Sequence, residues 1–312
     1  MKGFLPDQTH VSQVRLRATR LDGLLEFYSR VLGLNASRGP RNRVILSAGS
    51  EQPALIELTE EPGASPRPPR STGLYHFAMR YQTRRDLAKA LRGLIEAGYP
   101  IAGASDHGVS EAIYLSDPES NGIELYADRP RSTWEWQNGQ IEMVTKSLDL
   151  DNLLATAGDS SNAQSPPQAE MGHIHLHVAD LAAAERFYSE FLGFTVTQRS
   201  YPGALFFAAG GYHHHIGVNV WAGKAAPPPG SAGLVSYRIE VPVAEMLYCL
   251  NHRAPLLGYE TRSVKNEGEP NPTLQIRDPN GNWLEVHAAS PAGDAHLQHQ
   301  PSGELCENGI KG

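Results

Sequence analysis

The chain has little cysteine, no basic run and no long apolar run. Its only two cysteines, Cys249 and Cys306, lie far apart in the 312-residue sequence, so we expect no disulfide framework. Such cysteine usage is typical of a reducing cytoplasm. No stretch approaches the roughly 20 apolar residues that cross a membrane. The N-terminus also lacks the basic-then-apolar pattern of a signal peptide. We expect a cytoplasmic protein with no membrane partner.

The charge balance excludes a further class of partner. Lysine and arginine together number 27, against 34 aspartates and glutamates, and the net charge of −7 is spread along the chain. Proteins that bind nucleic acid concentrate positive charge, so we expect no nucleic-acid partner. With 40% hydrophobic residues over 312 positions, the chain can form two domains that each bury a core.

An internal repeat relates the two halves of the sequence. Phe27-Tyr28 recurs as Phe187-Tyr188, 160 positions later. In the same way Glu124 recurs as Glu285, 161 positions later. Self-similarity at a fixed offset indicates duplicated structural units. The repeat, its flanks and the loss of periodicity at the end of the chain predict four segments: a domain at 10–128, a linker at 129–170, a second domain at 171–288 and a disordered tail at 289–312.

Each domain contains two copies of a smaller pattern. An alternating run such as Leu74–Tyr81 predicts a strand, and the apolar spacing of Arg84–Ala97 predicts an amphipathic helix. Short β-rich runs follow each predicted helix. The fold class is therefore α+β, built from four βαβββ units.

Several sequence strings resemble a known family. The units that open each domain carry the pattern LxxxxxFYxxxLGL or a close variant, and the strings GLYHFAMR and AGGYHHHIGVNVW follow in later units. Four such units resemble the vicinal-oxygen-chelate superfamily, which includes glyoxalase I, bleomycin-resistance proteins and extradiol dioxygenases. The longer strings resemble two-domain bacterial catechol 2,3-dioxygenases. The resemblance implies two tandem half-open barrels with a metal position inside.

The first-choice metal site lies in the N-terminal domain. His76 and Glu124 each interrupt a predicted apolar strand, where an unpaired buried carboxylate would be costly. The resemblance implies Gln13, His76 and Glu124 as ligands of Fe(II) or Mn(II), with the glutamine in place of a histidine. Glu57, which also interrupts an apolar strand, would complete the four-ligand set of glyoxalase I.

The second-choice metal site lies in the C-terminal domain. The resemblance places His173 at its first ligand position and Glu285 at its last. The run His213–His215 enters a predicted strand nearby, and side chains alternate along a strand. Either His214 or its two neighbours therefore point inward, and His214 is the candidate third ligand.

Two further residues suit proton transfer in the N-terminal site. Tyr114 lies ten residues before Glu124, the spacing that the resemblance associates with a catalytic tyrosine, and His107 lies just upstream. A positioned histidine and tyrosine can move protons to and from a reacting group. The resemblance thus implies ring cleavage of a small aromatic diol, catechol-like, by O₂.

Two other functions fit the same scaffold. One is a glyoxalase I-like metal-dependent lyase or isomerase that uses Glu57 and prefers Zn(II), Ni(II) or Co(II). The other is a non-catalytic protein that binds small aromatics. Fold alone cannot separate the three, because function depends on the site. Exposed strand edges between units favour a homodimer.

Overall fold

The computed structural model describes residues 4–40, 42–158, 168–264 and 273–288. The predicted tail at 289–312 and part of the predicted linker lie outside these ranges. Among the described residues no helix is long and apolar enough to cross a membrane. The cytoplasmic location and the homodimer stay predictions.

Four βαβββ units follow one another as predicted. Unit one contains β1 (His10–Ala18), α1 (Asp22–Glu26), β2 (Asn35–Gly39), β3 (Arg43–Ser47) and β4 (Ala54–Glu60). Unit two contains β5 (Gly73–Tyr81), α2 (Arg84–Glu96), β6 (Gly103–Asp106), β7 (Ser110–Ser116) and β8 (Gly122–Asp128). In unit one a π-helical turn, Phe27–Val31, continues the first helix.

The connection between the halves carries short elements of its own. They are a 3-10 turn (Arg131–Thr133), β9 (Trp136–Gln137), β10 (Gln140–Ile141), β11 (Lys146–Ser147) and α3 (Leu150–Ala155). Asp149 caps α3 because its side chain accepts a hydrogen bond from the Asn152 amide.

The second half repeats the plan of the first. Unit three contains β12 (Ala169–His177), α4 (Leu181–Glu185), β13 (Thr195–Gln198), β14 (Ala204–Ala208) and β15 (Ile216–Asn219). Unit four contains β16 (Gly233–Val241), α5 (Glu245–Leu256), β17 (Thr261–Val264), β18 (Thr273–Arg277) and β19 (Trp283–Ala288). A π-helical turn, Arg186–Phe191, again follows the first helix of the half. Cys249 lies in α5, whereas Cys306 lies outside the described residues, so the expectation of no disulfide framework stays a prediction.

The units pair across the two halves of the chain. One sheet has eight strands in the order β17-β18-β19-β16-β1-β4-β3-β2, and the other has nine in the order β11-β6-β7-β8-β5-β12-β15-β14-β13. Unit one thus shares a sheet with unit four, and unit two with unit three. From the sequence we expected units one and two to form one half-open barrel and units three and four the other. The repeat shows which units are alike, but it does not show which strand edges pair.

Two β-bulges set the direction of the side chains where β5 meets β12. The two strands pair antiparallel, and Gly172 and Tyr75 are the extra residues that have no partner in the register. A bulge reverses the face on which the following residues point. Met171 and Ile174 therefore both lie in the apolar core, whereas His175 faces a cavity. The same irregularities recur where β1 meets β16.

One apolar core joins both sheets to the helices. It includes Val14 and Leu58 from the eight-stranded sheet, Phe77 and Leu125 from the nine-stranded sheet, and Leu91 from α2. All five side chains are almost completely buried. At about 25 cal/mol per Å² of buried apolar surface, this shared core is the main term that holds the sheets together.

Substitution of the bulge glycine should destabilise the fold. A Cβ at Gly172 would lie 1.9 Å from the Tyr126 hydroxyl, whereas a Cβ at Gly103 would meet nothing within 4 Å. We expect Gly172→Ala to lower the free energy of unfolding by about 1–3 kcal/mol, as overpacking does. Gly103→Ala should change it by less than about 1 kcal/mol. Urea unfolding measures both, and equal losses would contradict the close contact at Gly172.

Candidate active site

Three buried side chains converge on the nine-stranded sheet. They are His76 on β5, Glu124 on β8 and His173 on β12, and one ligand atom from each lies within 4.8 Å of the other two. Among the described residues this is the only such group of three or more histidines, cysteines and acids. The register explains it, because Ala78 pairs with Glu124 on one side and with His173 on the other. The small alanine side chain leaves room between the two larger ones.

The carboxylate of Glu124 is at the centre of this group. Its Oε2 lies 3.1 Å from His173 Nε2 and 3.1 Å from His76 Nε2. Burial tends to raise the pKa of Glu124, but His173 and His76 hold that pKa well below its usual range. Burial also lowers the pKa of His173 to about 4. A charged carboxylate and a neutral imidazole are the forms that bind a divalent metal.

The donor set fits a metal ion. His76 Nε2 is buried and makes no hydrogen bond, although it lies close to Glu124. Buried nitrogens without a partner are rare because the lost solvation is costly. Two histidines and one carboxylate on one face form the set that proteins use for non-haem Fe(II), with the other face left open. The three residues therefore have the chemistry of a metal centre.

A tyrosine and a histidine lie beside this group. Tyr114 on β7 pairs with Glu124 across the sheet, and its hydroxyl lies 2.6 Å from His107 Nε2. The other ring nitrogen, His107 Nδ1, lies 2.7 Å from the Val144 carbonyl oxygen. A carbonyl oxygen only accepts, so Nδ1 carries a proton and neutral His107 accepts from the Tyr114 hydroxyl at Nε2. Burial, and then the charge of Glu124, raise the pKa of Tyr114 well above its usual value.

The three consecutive histidines have different surroundings. The ring of His214 stacks 4.1 Å from that of His173, and its Nδ1 lies 2.7 Å from His213 Nδ1. His213 Nε2 in turn lies 3.0 Å from Asp128 Oδ1. His215 accepts a hydrogen bond from the backbone amide of Ala209. His214 alone of the three lines the cavity, which alternation along a strand could not decide.

Five of these side chains, His76, Glu124, Tyr114, His107 and His214, border one cavity of about 720 Å³. Its polar wall includes His76, Tyr114, His107 and His214. Its apolar wall is formed mainly by the following side chains: Tyr75, Val109, Ile123, Met143, Val144, Tyr201, Phe206 and Trp221. A cavity of this size, largely apolar with a few converging polar groups, is typical of a small-molecule site.

Comparison with known proteins decides the family. A model described as the Glyoxalase/Bleomycin resistance protein/Dioxygenase superfamily matches residues 10–125 and 170–286. The chain belongs to this superfamily. Catechol-2,3-dioxygenase from Bacillus subtilis (strain 168) is 43% identical to it over 279 residues, which are 88% of this chain and 95% of that protein.

More distant members of the superfamily share parts of the sequence or only the fold. Biphenyl-2,3-diol 1,2-dioxygenase 2 from Rhodococcus globerulus is 24% identical over 41% of this chain and 69% of its own. The structure of glyoxalase I from Zea mays has a TM-score of 0.55 at 15% identity and covers 89% of this chain and 92% of that one. The second similarity is one of fold alone.

The structure brings together a different set from either predicted one. Gln13 lies on β1 in the eight-stranded sheet, where it pairs with Arg238 on β16. His173 occupies the corresponding place, 160 positions later, in the nine-stranded sheet beside His76. Because unit two pairs with unit three, the histidine that the N-terminal set lacked comes from the second half of the chain.

The other predicted ligands form ion pairs in the eight-stranded sheet. Glu57 lies 3.5 Å from Arg15 Nε and 3.3 Å from Arg43 Nε. Glu285, the repeat of Glu124, lies 2.9 Å from Arg15 Nη1 and 3.3 Å from Arg238 Nη2. Guanidinium groups thus neutralise both carboxylates, and neither joins His173 or His214.

Metal content should depend on residues from both halves of the chain. We expect His173→Ala and Glu124→Gln each to weaken metal binding by at least about 100-fold, since even outer groups are worth 10–100-fold. Gln13→Ala, at the repeat position of His173, is the matched control and should bind normally. Anaerobic dialysis against Fe(II) or Mn(II) followed by elemental analysis measures the stoichiometry. Loss of metal in Gln13→Ala with retention in His173→Ala would contradict this site.

Proposed function

We propose that this protein is a metal-dependent extradiol dioxygenase that cleaves the ring of a catechol-like aromatic diol with O₂. The observation that carries the proposal is the group His76, His173 and Glu124, of which His76 and Glu124 line a cavity together with Tyr114 and His214. The 43% identity to catechol-2,3-dioxygenase from Bacillus subtilis supports the same chemistry. Fe(II) or Mn(II) is the proposed metal, because both suit a two-histidine, one-carboxylate set.

A missing fourth side chain favours this function over a glyoxalase-like one. Glu57, the extra ligand of the glyoxalase reading, pairs with Arg15 in unit one. The corresponding pair in unit three is Gly217 with His175. A Cβ at Gly217 would lie 2.9 Å from His175 Cγ, so the imidazole fills the space that a fourth ligand would need. Three ligands leave positions free for a diol and O₂.

The hydrogen bonds around His214 determine which of its ring nitrogens faces the substrate without a proton, although burial lowers the pKa of His214 well below its usual value. Asp128 is a charged acceptor, because His213 and Arg80 hold its pKa below the usual value against the effect of burial. His213 therefore donates a hydrogen bond from Nε2 to Asp128. In the neutral form of His213 the other ring nitrogen, Nδ1, carries no proton and accepts a hydrogen bond from His214 Nδ1. This tautomer leaves His214 Nε2 unprotonated. That nitrogen has no partner among the described residues and can take a proton from a diol hydroxyl.

Tyr114 and His107 complete the proton chemistry on the other side of the cavity. The distance of 2.6 Å between the Tyr114 hydroxyl and His107 Nε2 allows a proton to pass between these two groups. Tyr114 can turn to hold a substrate oxygen while His107 stores or returns a proton. The metal, when bound, supplies Lewis acidity toward the diol and redox chemistry toward O₂.

Oxygen uptake tests the reaction directly. Protein purified without air, loaded with Fe(II) or Mn(II) and given catechol should consume one O₂ for each ring-cleaved product formed. We expect His76→Ala to abolish the activity together with metal binding. Stoichiometric metal without oxygen uptake on any catechol would contradict ring cleavage. An oxygen electrode and the absorbance of the coloured product provide the two measurements.

A separate prediction concerns the proton donor. Tyr114→Phe should lower kcat by about 10²- to 10⁴-fold, the usual contribution of a positioned acid or base. Its metal affinity should fall much less than that of Glu124→Gln, because the hydroxyl contacts the Glu124 carboxylate but is not itself a ligand. Tyr99→Phe is the matched control, since Tyr99 does not line the cavity and its hydroxyl donates to the Ser116 carbonyl. An unchanged kcat in Tyr114→Phe would exclude this role.

A further inference from the structure

One cationic side chain lines the cavity without a carboxylate partner. Arg67 lies in the loop between β4 and β5 and borders the same space as His76 and Glu124. The part of the chain that the structure describes offers it no ion pair. Burial lowers the pKa of its guanidinium group, and no acidic neighbour opposes that effect. Arg67 is half-buried, so its charge is partly removed from water, and an anionic ligand in the cavity would compensate it.

The loop that carries Arg67 is fixed at both ends. The Ala232 amide donates to the Ser65 carbonyl at 2.8 Å, and the Thr72 amide donates to the Ala225 carbonyl at 2.8 Å. Between them, the Ser71 hydroxyl donates to the Pro68 carbonyl at 2.8 Å. These bonds tie the loop to the chain that enters β16. Arg67 is therefore held in place before any ligand arrives.

Two glycines leave space for the arginine side chain. Gly73 and Gly233, at the starts of β5 and β16, both have positive φ angles, 117° and 113°. A Cβ at Gly233 would lie 3.4 Å from Arg67 Cδ, and one at Gly73 would lie 3.7 Å from Arg67 Nη1. The Arg67 side chain thus lies against the backbone of Gly73 and Gly233, where neither residue has a side chain that would block it. The planar guanidinium group is itself pre-organised, so it loses little entropy for each hydrogen bond that it forms.

The acids that border the cavity are already engaged elsewhere. Glu124 lies between His76 and His173. Glu119 accepts hydrogen bonds from the Thr19 amide at 2.9 Å, the Thr19 hydroxyl at 2.6 Å and the Arg20 amide at 2.9 Å. Neither forms an ion pair with Arg67. The cavity therefore presents one uncompensated positive charge to whatever enters it.

The cavity is also larger than one aromatic ring requires. A cavity of about 150 Å³ already holds benzene, whereas this one measures about 720 Å³. The remaining space can hold a substituent of the ring, and Arg67 lies at its border. Arginine recognises carboxylates through two parallel hydrogen bonds, which gives direction as well as strength.

We propose that Arg67 binds the carboxylate of the substrate, so that the preferred substrate is an aromatic diol that carries an acidic side chain. This inference rests on the proposed ring cleavage and specifies its substrate class. The diol end of the molecule would lie at His76 and Glu124, and the acid end would lie at the loop between β4 and β5.

Matched acids and esters test the role of Arg67. We would compare 3,4-dihydroxyphenylacetate and 3-(2,3-dihydroxyphenyl)propionate with their methyl esters and with catechol. The wild-type protein should favour at least one acid over its ester by about tenfold or more in kcat/KM, the range of a hydrogen bond to a charged group. Arg67→Gln should remove that preference, mainly through KM, and should leave catechol and the esters within about threefold, since they lack the charge.

Two further variants separate the specific contact from general charge. Arg67→Lys keeps the charge but not the paired donors, so it should retain only part of the preference. Arg70→Gln removes the same charge from an exposed neighbour outside the cavity and should behave as wild type. Equal use of each acid and its ester by the wild-type protein, or equal losses in Arg67→Gln and Arg70→Gln, would overturn the proposal.

A binding measurement keeps this test independent of the reaction. Anaerobic calorimetry with the same acids and esters reports affinity whether or not the ring is cleaved. Failure of every catechol to react, with acid-selective binding that Arg67→Gln abolishes, would reject ring cleavage and retain the carboxylate site. Ring cleavage of catechol without any acid preference in binding or turnover would retain ring cleavage and reject the carboxylate site.

Discussion

The antiparallel pairing of β5 with β12 is the constraint on which the rest of the structure depends. It joins a strand from the first half of the chain to one from the second, and its bulges at Tyr75 and Gly172 direct histidines from both strands away from the core. Ala78 then separates Glu124 from His173 by one small residue. The candidate metal group, the tyrosine beside it and the cavity all follow from that register.

The eight-stranded sheet shows what the same framework becomes without the histidines. Gln13 and Ser236 stand where His173 and His76 stand in the other sheet, and Arg15 replaces His175. The Ser236 hydroxyl and the Gln275 amide donate to Glu285, which also meets Arg15 and Arg238. A buried carboxylate thus persists in both sheets, but in the eight-stranded sheet arginines and hydrogen bonds compensate its charge in place of the two histidines.

The units, the fold class and two members of the metal group could be predicted from the sequence, because His76 and Glu124 interrupt apolar strands at a conspicuous spacing. His173 was also predicted as a ligand, but together with His214 and Glu285 and not with His76 and Glu124. A constant offset of 160 residues measures likeness between units, whereas the choice of strand edge depends on the chain's path in space. Arg67 was missed for a different reason, since a loop residue has no periodicity and its missing partner is visible only in three dimensions.

Because the ligands come from both halves of the chain, a bound metal ion would cross-link the two halves. His76 and Glu124 belong to the first repeat and His173 to the second, so neither repeat contains a complete set. The free energy of metal binding would therefore stabilise the association of the two repeats, just as a ligand shared by two subunits stabilises their dimer. A duplicated chain of this kind depends on both halves for a complete set of ligands, although the two halves differ in the residues that they contribute.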